Sequence, residues 1–197
     1  MSKGEVTRQR IIEMAAPLFN QRGFAGCSMQ DILDATGLRK GGIYRHFSSK
    51  EELAEEAFRY ALSQAVKIRI PHGDASMNTV ARLREVIAQF VEKPSAVPGG
   101  CPILNTAIDA DDGNPVLRKL AQEGLKDWRS RISGIVQEGI ARREIRPDIE
   151  PRALANTIIA TLEGALMISR LEGSRSALRD ASTLLDEMVT RVALPAK

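Results

Sequence analysis

With 197 residues, 43% of them hydrophobic and 27% charged, the chain has the composition of a folded globular protein and the length to bury a core without staples. Two cysteines, Cys27 and Cys101, exclude a disulfide framework, and two histidines are too few for a zinc site of the usual kind. The formal net charge is only +3, but residues 1–50 hold eight Lys/Arg against four Asp/Glu, and the remaining 147 residues sum to −1. A positive field gathered at one end suits a polyanionic partner, because counterion release rewards local cation density.

In chain order the sequence reads as helix throughout, with no strand signal and no repeat. Residues 5–22 form the first helix: Ile11, Ala15 and Leu18 recur at helical spacing, Ile12 and Phe19 widen the stripe, and Gly23 suits the residue after its end. Ser28 is a good N-cap for a second helix whose apolar side is Met29, Ile32 and Leu33, and Gly37 sits where the chain must reverse. Leu38 restarts the apolar pattern toward Ile43 and Phe47, which places a third helix over about residues 39–46. Two short helices across a glycine turn are the layout of a helix-turn-helix. Ser49-Lys50-Glu51-Glu52 then reads as a capping box for a long fourth helix reaching about Arg69, with Leu53, Ala57, Ala61 and Ala65 on one face. Pro71-His72-Gly73-Asp74 breaks it.

Residues 75–92 make the fifth helix, with Val80, Leu83, Ile87, Phe90 and Val91 as its buried face. Residues 93–100 contain two prolines and two glycines and form the main internal loop. Cys101-Pro102 opens a short helix over residues 103–110, closed by an acidic turn at Asp111-Asp112-Gly113. Asn114 as N-cap and Pro115 at the first helical position start a long helix to about Glu144, striped by Leu117, Ala121, Leu125, Trp128, Ile132, Ile135 and Val136. Pro147 and Pro151 bracket the start of the eighth helix, where Leu154, Ile158, Leu162 and Ala165 form one face and Ala155, Ile159 and Leu166 widen it; Gly173 ends it. Leu178, Ala181, Leu184, Leu185, Met188 and Val192 mark the ninth. The fold class is all-α: a three-helix helix-turn-helix domain over residues 1–50, then a helical domain over residues 51–197, about nine helices in all, joined mechanically by the fourth.

The third helix carries the chemistry. Arg39 and Arg45 suit guanine edges through their guanidinium forks, and Lys40 suits a base edge or a phosphate. Tyr44, His46 and Lys50 read as phosphate contacts, with Ser28 and Thr7 as further ones. Gly41 and Gly42 are poor helix formers, at ~1 kcal/mol each, and a pair of them makes sense where a backbone must lie against DNA. The eighth helix is apolar over more than half its circumference, so it needs a partner on a second side. Helices eight and nine therefore suit a four-helix contact between two copies of the chain, with Ala160, Gly164 and Ala165 allowing close approach.

The stretch RQRIIEMAAPLFNQRGFAGCSMQDILDATGLRKGGIYRHFSSKEEL, residues 8–53, resembles the N-terminal DNA-binding domain of TetR-type transcriptional regulators. The resemblance rests on the Gly23-Phe24 end of the first helix, the Gly37 turn, the Gly42-Ile43-Tyr44-Arg45-His46-Phe47 run and the Lys50-Glu51-Glu52-Leu53 start. One departure is Arg39, which stands where family members often have a small hydroxyl residue, so a helix cap is lost and a longer cationic arm gained. The resemblance implies a homodimer that binds palindromic operator DNA, usually as a repressor, and releases it when a small molecule enters the C-terminal domain; the lack of a signal-peptide pattern and of a membrane-length apolar run makes a cytoplasmic chain the expectation. Residues 100–107, Gly-Cys-Pro-Ile-Leu-Asn-Thr-Ala, look like a stretch found in one subgroup of these regulators. Phe90, Cys101, Asn105, Asp109, Trp128 and Met167 are the candidate effector-lining residues, combining large apolar surfaces with a few polar groups.

Other classes fit less well. Cys101 follows Gly-Gly and opens a helix, where the macrodipole lowers a thiol pKa, so redox or electrophile sensing stands as an alternative beside a ligand-independent DNA-binding protein. A nucleophilic Cys101 enzyme needs a base, and His72 is the one spare candidate. The chain lacks a Gly-x-Ser-x-Gly elbow, a His-Glu-x-x-His pair, a Gly-x-Gly-x-x-Gly turn and a Walker loop, and residues 109–120 depart from a calcium loop at the closing acid, Leu120. No enzyme activity, cofactor, metal or membrane partner is expected. The first residues lack the basic start and apolar block of a signal peptide, and no uninterrupted apolar run approaches the ~18 residues of a membrane span.

Overall fold

Most residues of the apolar stripes read from the sequence lie on the buried sides of helices, but Leu184, expected on the stripe of the ninth helix, is 62% exposed. The computed structural model describes residues 2–69, 77–110 and 113–195. Among them the chain is all-α: α1 (Lys3–Gly26), α2 (Met29–Thr36), α3 (Lys40–Tyr44), α4 (Lys50–Arg69), α5 (Thr79–Glu92), α6 (Pro102–Asp109), α7 (Pro115–Ala141), α8 (Pro151–Glu172) and α9 (Ser176–Val192). An antiparallel bridge between Ile145 and Ala193 is the one β pairing among the described residues.

The helix ends show where local chemistry decides and where it shifts. Gly23 does adopt a positive φ, 74° with ψ 172°, but the chain turns helical again and α1 runs on to Gly26 past the kink. At the start of α4 the expected capping box is displaced by one residue. Ser49 Oγ accepts the Glu52 N–H at 3.2 Å, while the Glu52 carboxylate takes the N–H and hydroxyl of Ser48, both at 2.7 Å, rather than the Ser49 N–H. The fifth helix starts at Thr79, four residues later than expected, because Asn78 supplies a cap: its side chain accepts the Ala81 N–H at 2.8 Å. The predicted break at Pro71-His72-Gly73-Asp74 and the acidic pair Asp111-Asp112 lie outside the described residues. Asn114 caps α7 as expected, accepting the Val116 and Leu117 N–H groups at 3.1 and 3.0 Å. That helix stops at Ala141, three residues early, where Arg143 takes a left-handed φ of 58°.

Packing divides the chain into two units, Met1–Lys67 with Ser95–Gly124, and Ile68–Pro94 with Leu125–Lys197. The sequence puts a domain boundary near residue 50, at the start of α4, whereas the packing units keep most of α4, all of α6 and the first turns of α7 with the helix-turn-helix. The reason is burial. Leu53, Ala57 and Ala61 of α4 share a core with Ile11, Ile12 and Ala15 of α1, and with Ile32, Ile43 and Phe47. On its other side α4 packs Ala54 and Phe58 against Ala110, Leu117, Leu120 and Ala121. One helix with two buried faces cannot leave either neighbour.

The second unit is built on Leu83, Ile87 and Phe90 of α5, Ile132 and Val136 of α7, Leu154, Ile158 and Leu162 of α8, and Leu178, Leu185 and Val189 of α9. Helix α8 is 22 residues long and holds an 18-residue stretch of mean hydropathy 1.2, enough to cross a bilayer by length and composition. Seven of its positions, from Leu154 to Ser169, are buried, which accounts for one apolar side, while Met167, Ile168 and Leu171 are exposed.

Candidate nucleic-acid interface

The reader is built outward from two buried anchors. Ile43 and Phe47 are each 1% exposed and seat α3 on the core formed by α1, α2 and α4. Gly37 turns the chain at φ 67° and donates its N–H to the Leu33 carbonyl at 2.9 Å, which lets α2 end at Thr36 and α3 begin at Lys40. Helix α3 is shorter than the expected 39–46 stretch. It spans five residues, and Arg39 sits at its N-cap with no side-chain cap bond, the loss that replacing a hydroxyl residue entails.

With the anchors inside, the cations must lie outside. Arg39, Lys40, Gly41, Tyr44 and Arg45 are exposed, whereas Gly42 and His46 are half-buried. Among the described residues the side chains of Arg39 and Arg45 have no ion-pair or hydrogen-bond partner, and the Lys40 ammonium lies 5.8 Å from the Tyr44 ring centre. Other cations of the same unit are committed internally: Arg8 lies 4.7 Å over the Phe47 ring and 3.4 Å from Glu56, and Arg22 pairs with Asp31 at 2.6 Å. A Cβ on Gly41 would meet nothing within 4 Å among the described residues, and one on Gly42 would make only ordinary contact with Leu38. Internal packing therefore does not require either glycine.

Three sequence-predicted contacts have internal work. Thr7 donates its hydroxyl to the Lys3 carbonyl at 3.0 Å. Ser28 caps α2 with both capacities of its hydroxyl, accepting the Asp31 N–H at 3.1 Å and donating to the Asp31 carboxylate at 2.6 Å. Lys50 donates its Nζ to the Phe24 carbonyl at 2.6 Å and lies 4.2 Å from the centre of the Phe24 ring.

The Asp31 carboxylate is the electrostatic centre of the α2 cap. The hydroxyl and N–H of Ser28, at 2.6 and 2.8 Å, followed by the Arg22 guanidinium, hold its pKa down to about 2. Because the folded value lies below the ordinary carboxylate value of about 3.9, the cap's stabilisation is complete above that pH and is lost as pH falls through about 2. A side-chain carboxyl NMR titration is expected to place the Asp31 midpoint near 2; a midpoint near 3.9 would mean the cap is not formed.

The six effector-lining candidates are divided between the two packing units. Phe90 and Trp128 fall in the second packing unit, where their rings stack at 5.6 Å and the Arg69 guanidinium lies 4.2 Å over Phe90. Cys101, Asn105 and Asp109 lie along α6 in the first unit, and Asn105 and Asp109 face a cavity of about 30 Å³, room for about one water and far below the several hundred Å³ of a ligand pocket. Asn105 donates to the carbonyls of Asn20 and Gly99, each at 2.8 Å, and Asp109 accepts the Phe24 N–H at 2.6 Å. Met167 is 49% exposed on the outer side of α8 beside Ile168 and Leu171. Cys101 is 5% exposed at the α6 N-cap, and burial pushes the thiol of Cys27 up from its ordinary range.

Asn20 was missed by sequence reasoning. It is 8% exposed and donates to the Pro98 and Gly100 carbonyls at 2.9 and 3.2 Å. The available signal was its position, four residues after Ala16 and eight after Ile12, on the buried stripe of α1.

A short helix with free cations on one side and two buried hydrophobic anchors on the other, placed after a tight glycine turn, defines a helix-turn-helix DNA-binding protein. The chain belongs to the tetR family of bacterial regulatory proteins, whose N-terminal domain matches residues 11–57; the tetracyclin repressor-like C-terminal domain matches residues 79–185. It is 29% identical over 181 residues, 91% of this chain and 90% of the relative, to the HTH-type transcriptional repressor DhaR of a Mycobacterium species. It is 34% identical to the transcriptional repressor KstR2 of Mycobacterium tuberculosis over 75% of this chain and 74% of the relative. A TetR transcriptional regulator from Chloroflexus aurantiacus has 46% identity, complete coverage of both chains and a TM-score of 0.92. The protein is a DNA-binding transcriptional regulator, and the family and these relatives are regulators rather than enzymes.

Proposed function

We propose that the protein is a cytoplasmic homodimeric repressor that reads a palindromic operator through α3 and leaves it when a small molecule binds the C-terminal domain. The observation that carries the reading is the exposed, unpaired cationic edge of α3. Arg39 and Arg45 read base edges, Lys40 reads a base or a phosphate, and Tyr44 and His46 anchor phosphates. Gly41 and Gly42, which internal packing does not require, let the backbone approach the groove. Thr7 and Ser28 first serve their own helices, and Lys50 is bonded to the Phe24 carbonyl.

Pairing of two copies is supported by an apolar stripe that the described residues leave uncovered. On α8, Ile168 and Leu171 are 41% and 81% exposed, Ala160 is exposed, and a Cβ on Gly164 would meet nothing within 4 Å among the described residues. Leu184 of α9 is 62% exposed. Two copies joined there present two α3 helices for successive major grooves, about 34–36 Å apart. Leu171→Glu is expected to shift the wild-type dimer to monomer in sedimentation velocity and to abolish operator binding at nanomolar protein. A variant that remained dimeric would place the interface elsewhere.

Burial of the Cys101 thiol disfavours the redox reading. Selection of bound sequences from random duplex DNA tests the whole proposal: recovery of one palindrome with half-sites a helical turn apart supports it, and recovery of no consensus refutes it.

A further inference from the structure

The polar bonds of Phe24 carry an inference beyond the contact surface, resting on the operator-reading role proposed above. Phe24 follows the Gly23 kink and stands four residues before Ser28, where α2 begins. Its N–H donates to Asp109 of α6 at 2.6 Å, and its carbonyl accepts from Lys50, the first residue of α4, at 2.6 Å. The Lys50 ammonium also lies over the Phe24 ring, which stacks on Phe19 at a centroid distance of 6.3 Å. The segment leading into the helix-turn-helix and the segment leading out of it are therefore tied at one residue, and that residue is tied to α6.

The local backbone is shaped for this arrangement. Gly23 has φ 74° and ψ 172°, and a Cβ there would lie 2.2 Å from the Asp109 carboxylate oxygen. Only glycine lets the carboxylate reach the next N–H. A second polar tie lies one helical turn earlier, where Asn105 donates to the Asn20 carbonyl at 2.8 Å. Helix α6 thus holds the end of α1 at two points spaced as Asn105 and Asp109 are on its own face.

We propose that Lys50 and Asp109 are positioning residues for operator binding: together they clamp the Phe24 backbone and so set the pose of α2 and α3, and Lys50 acts through this clamp rather than on a phosphate. The two roles for Lys50 differ in a measurable way. Loss of a phosphate contact lowers the slope of log affinity against log salt by about 0.9, whereas loss of a clamp lowers affinity at an unchanged slope. For Asp109 the sign is diagnostic, because removing a negative charge from a DNA-binding protein favours binding on electrostatic grounds alone.

The test is fluorescence anisotropy on the selected operator over a salt series, using the full chain with Lys50→Met, Asp109→Ala, Asp109→Asn and the Lys50→Met/Asp109→Ala pair. Circular dichroism establishes that each variant is folded. Lys50→Met is expected to bind about tenfold more weakly, the scale of one charge-assisted hydrogen bond, with the wild-type salt slope. Asp109→Ala is expected to weaken binding by a similar factor despite the lost negative charge, and Asp109→Asn, whose amide oxygen still accepts the Phe24 N–H, to recover most of it. The double variant is expected to lose less than the product of the single losses, since both act on one residue. A reduced salt slope for Lys50→Met, or unchanged or tighter binding by Asp109→Ala, overturns the proposal. If Asp109→Ala does not fold, Asp109→Asn against Lys50→Met decides, because loss of binding by the isosteric amide would make charge, not the hydrogen bond, the working feature. Failure of the wild type to distinguish operator from scrambled DNA would instead refute the operator-reading role itself.

Discussion

Replacing Arg39 and Arg45 together by alanine is expected to erase the distinction between operator and scrambled DNA while leaving the fold intact. Both side chains are exposed, and neither has an internal partner among the described residues, so their removal opens no cavity and breaks no bond. Each arginine fork on a guanine discriminates by ~1–3 kcal/mol, so the pair accounts for roughly 30-fold to 10⁴-fold of operator preference per protomer. Affinity for scrambled DNA falls far less, through the loss of two charges. The measurement is a ratio of dissociation constants at fixed salt. A double variant that retained the wild-type ratio would show that base reading resides elsewhere, whereas equal losses on both sequences would make these arginines phosphate contacts.

The second large effect is expected in stability. Gly99 has φ +113°, a region that L side chains rarely adopt, and a Cβ there would lie 2.7 Å from the Asn20 backbone carbonyl oxygen. Backbone cannot swing aside as a side-chain end can. The same loop is pinned by Asn105 on the Gly99 carbonyl at 2.8 Å, by Asn20 on the Pro98 carbonyl at 2.9 Å and by Ser95 on the Gly100 carbonyl at 2.7 Å. Gly99→Ala therefore combines strained backbone with displaced hydrogen bonds, and a loss of ~3 kcal/mol is expected in urea unfolding. A loss under about 0.5 kcal/mol, the range of an ordinary surface substitution, would mean the loop does not hold this conformation. Gly37→Ala is the useful comparison: its φ is +67° but a Cβ meets nothing within 4 Å among the described residues, so its cost isolates the backbone term.

The recognition unit was legible because its signals are local. Ser28 before an apolar step, Gly37 at a reversal, and Ile43 and Phe47 four residues apart each state a backbone conformation or a buried side within a few residues. The α7 start at Asn114-Pro115 and the α8 stop at Gly173 were legible for the same reason. Roles were harder to read than elements. Asn105 and Asp109 look, in sequence, like polar groups offered to a ligand, yet each is engaged by α1 across 85 residues of chain. Met167 looks like a pocket residue and lies on the outside. A helix pattern shows that a face is apolar; it does not name what covers that face.

The sequence by itself determined the all-α class, the helix-turn-helix and its cationic edge, because capping, turn chemistry and 3.6-residue periodicity are properties of neighbouring residues. Only the tertiary structure decided that α4 and α6 pack with the reader, that Arg8 and Arg22 are committed internally while Arg39 and Arg45 are not, and that Lys50 and Asp109 meet at Phe24. Those facts depend on which surfaces exclude water together. That is a property of the assembled core, and residues 26 and 85 positions apart acquire it only when the helices pack.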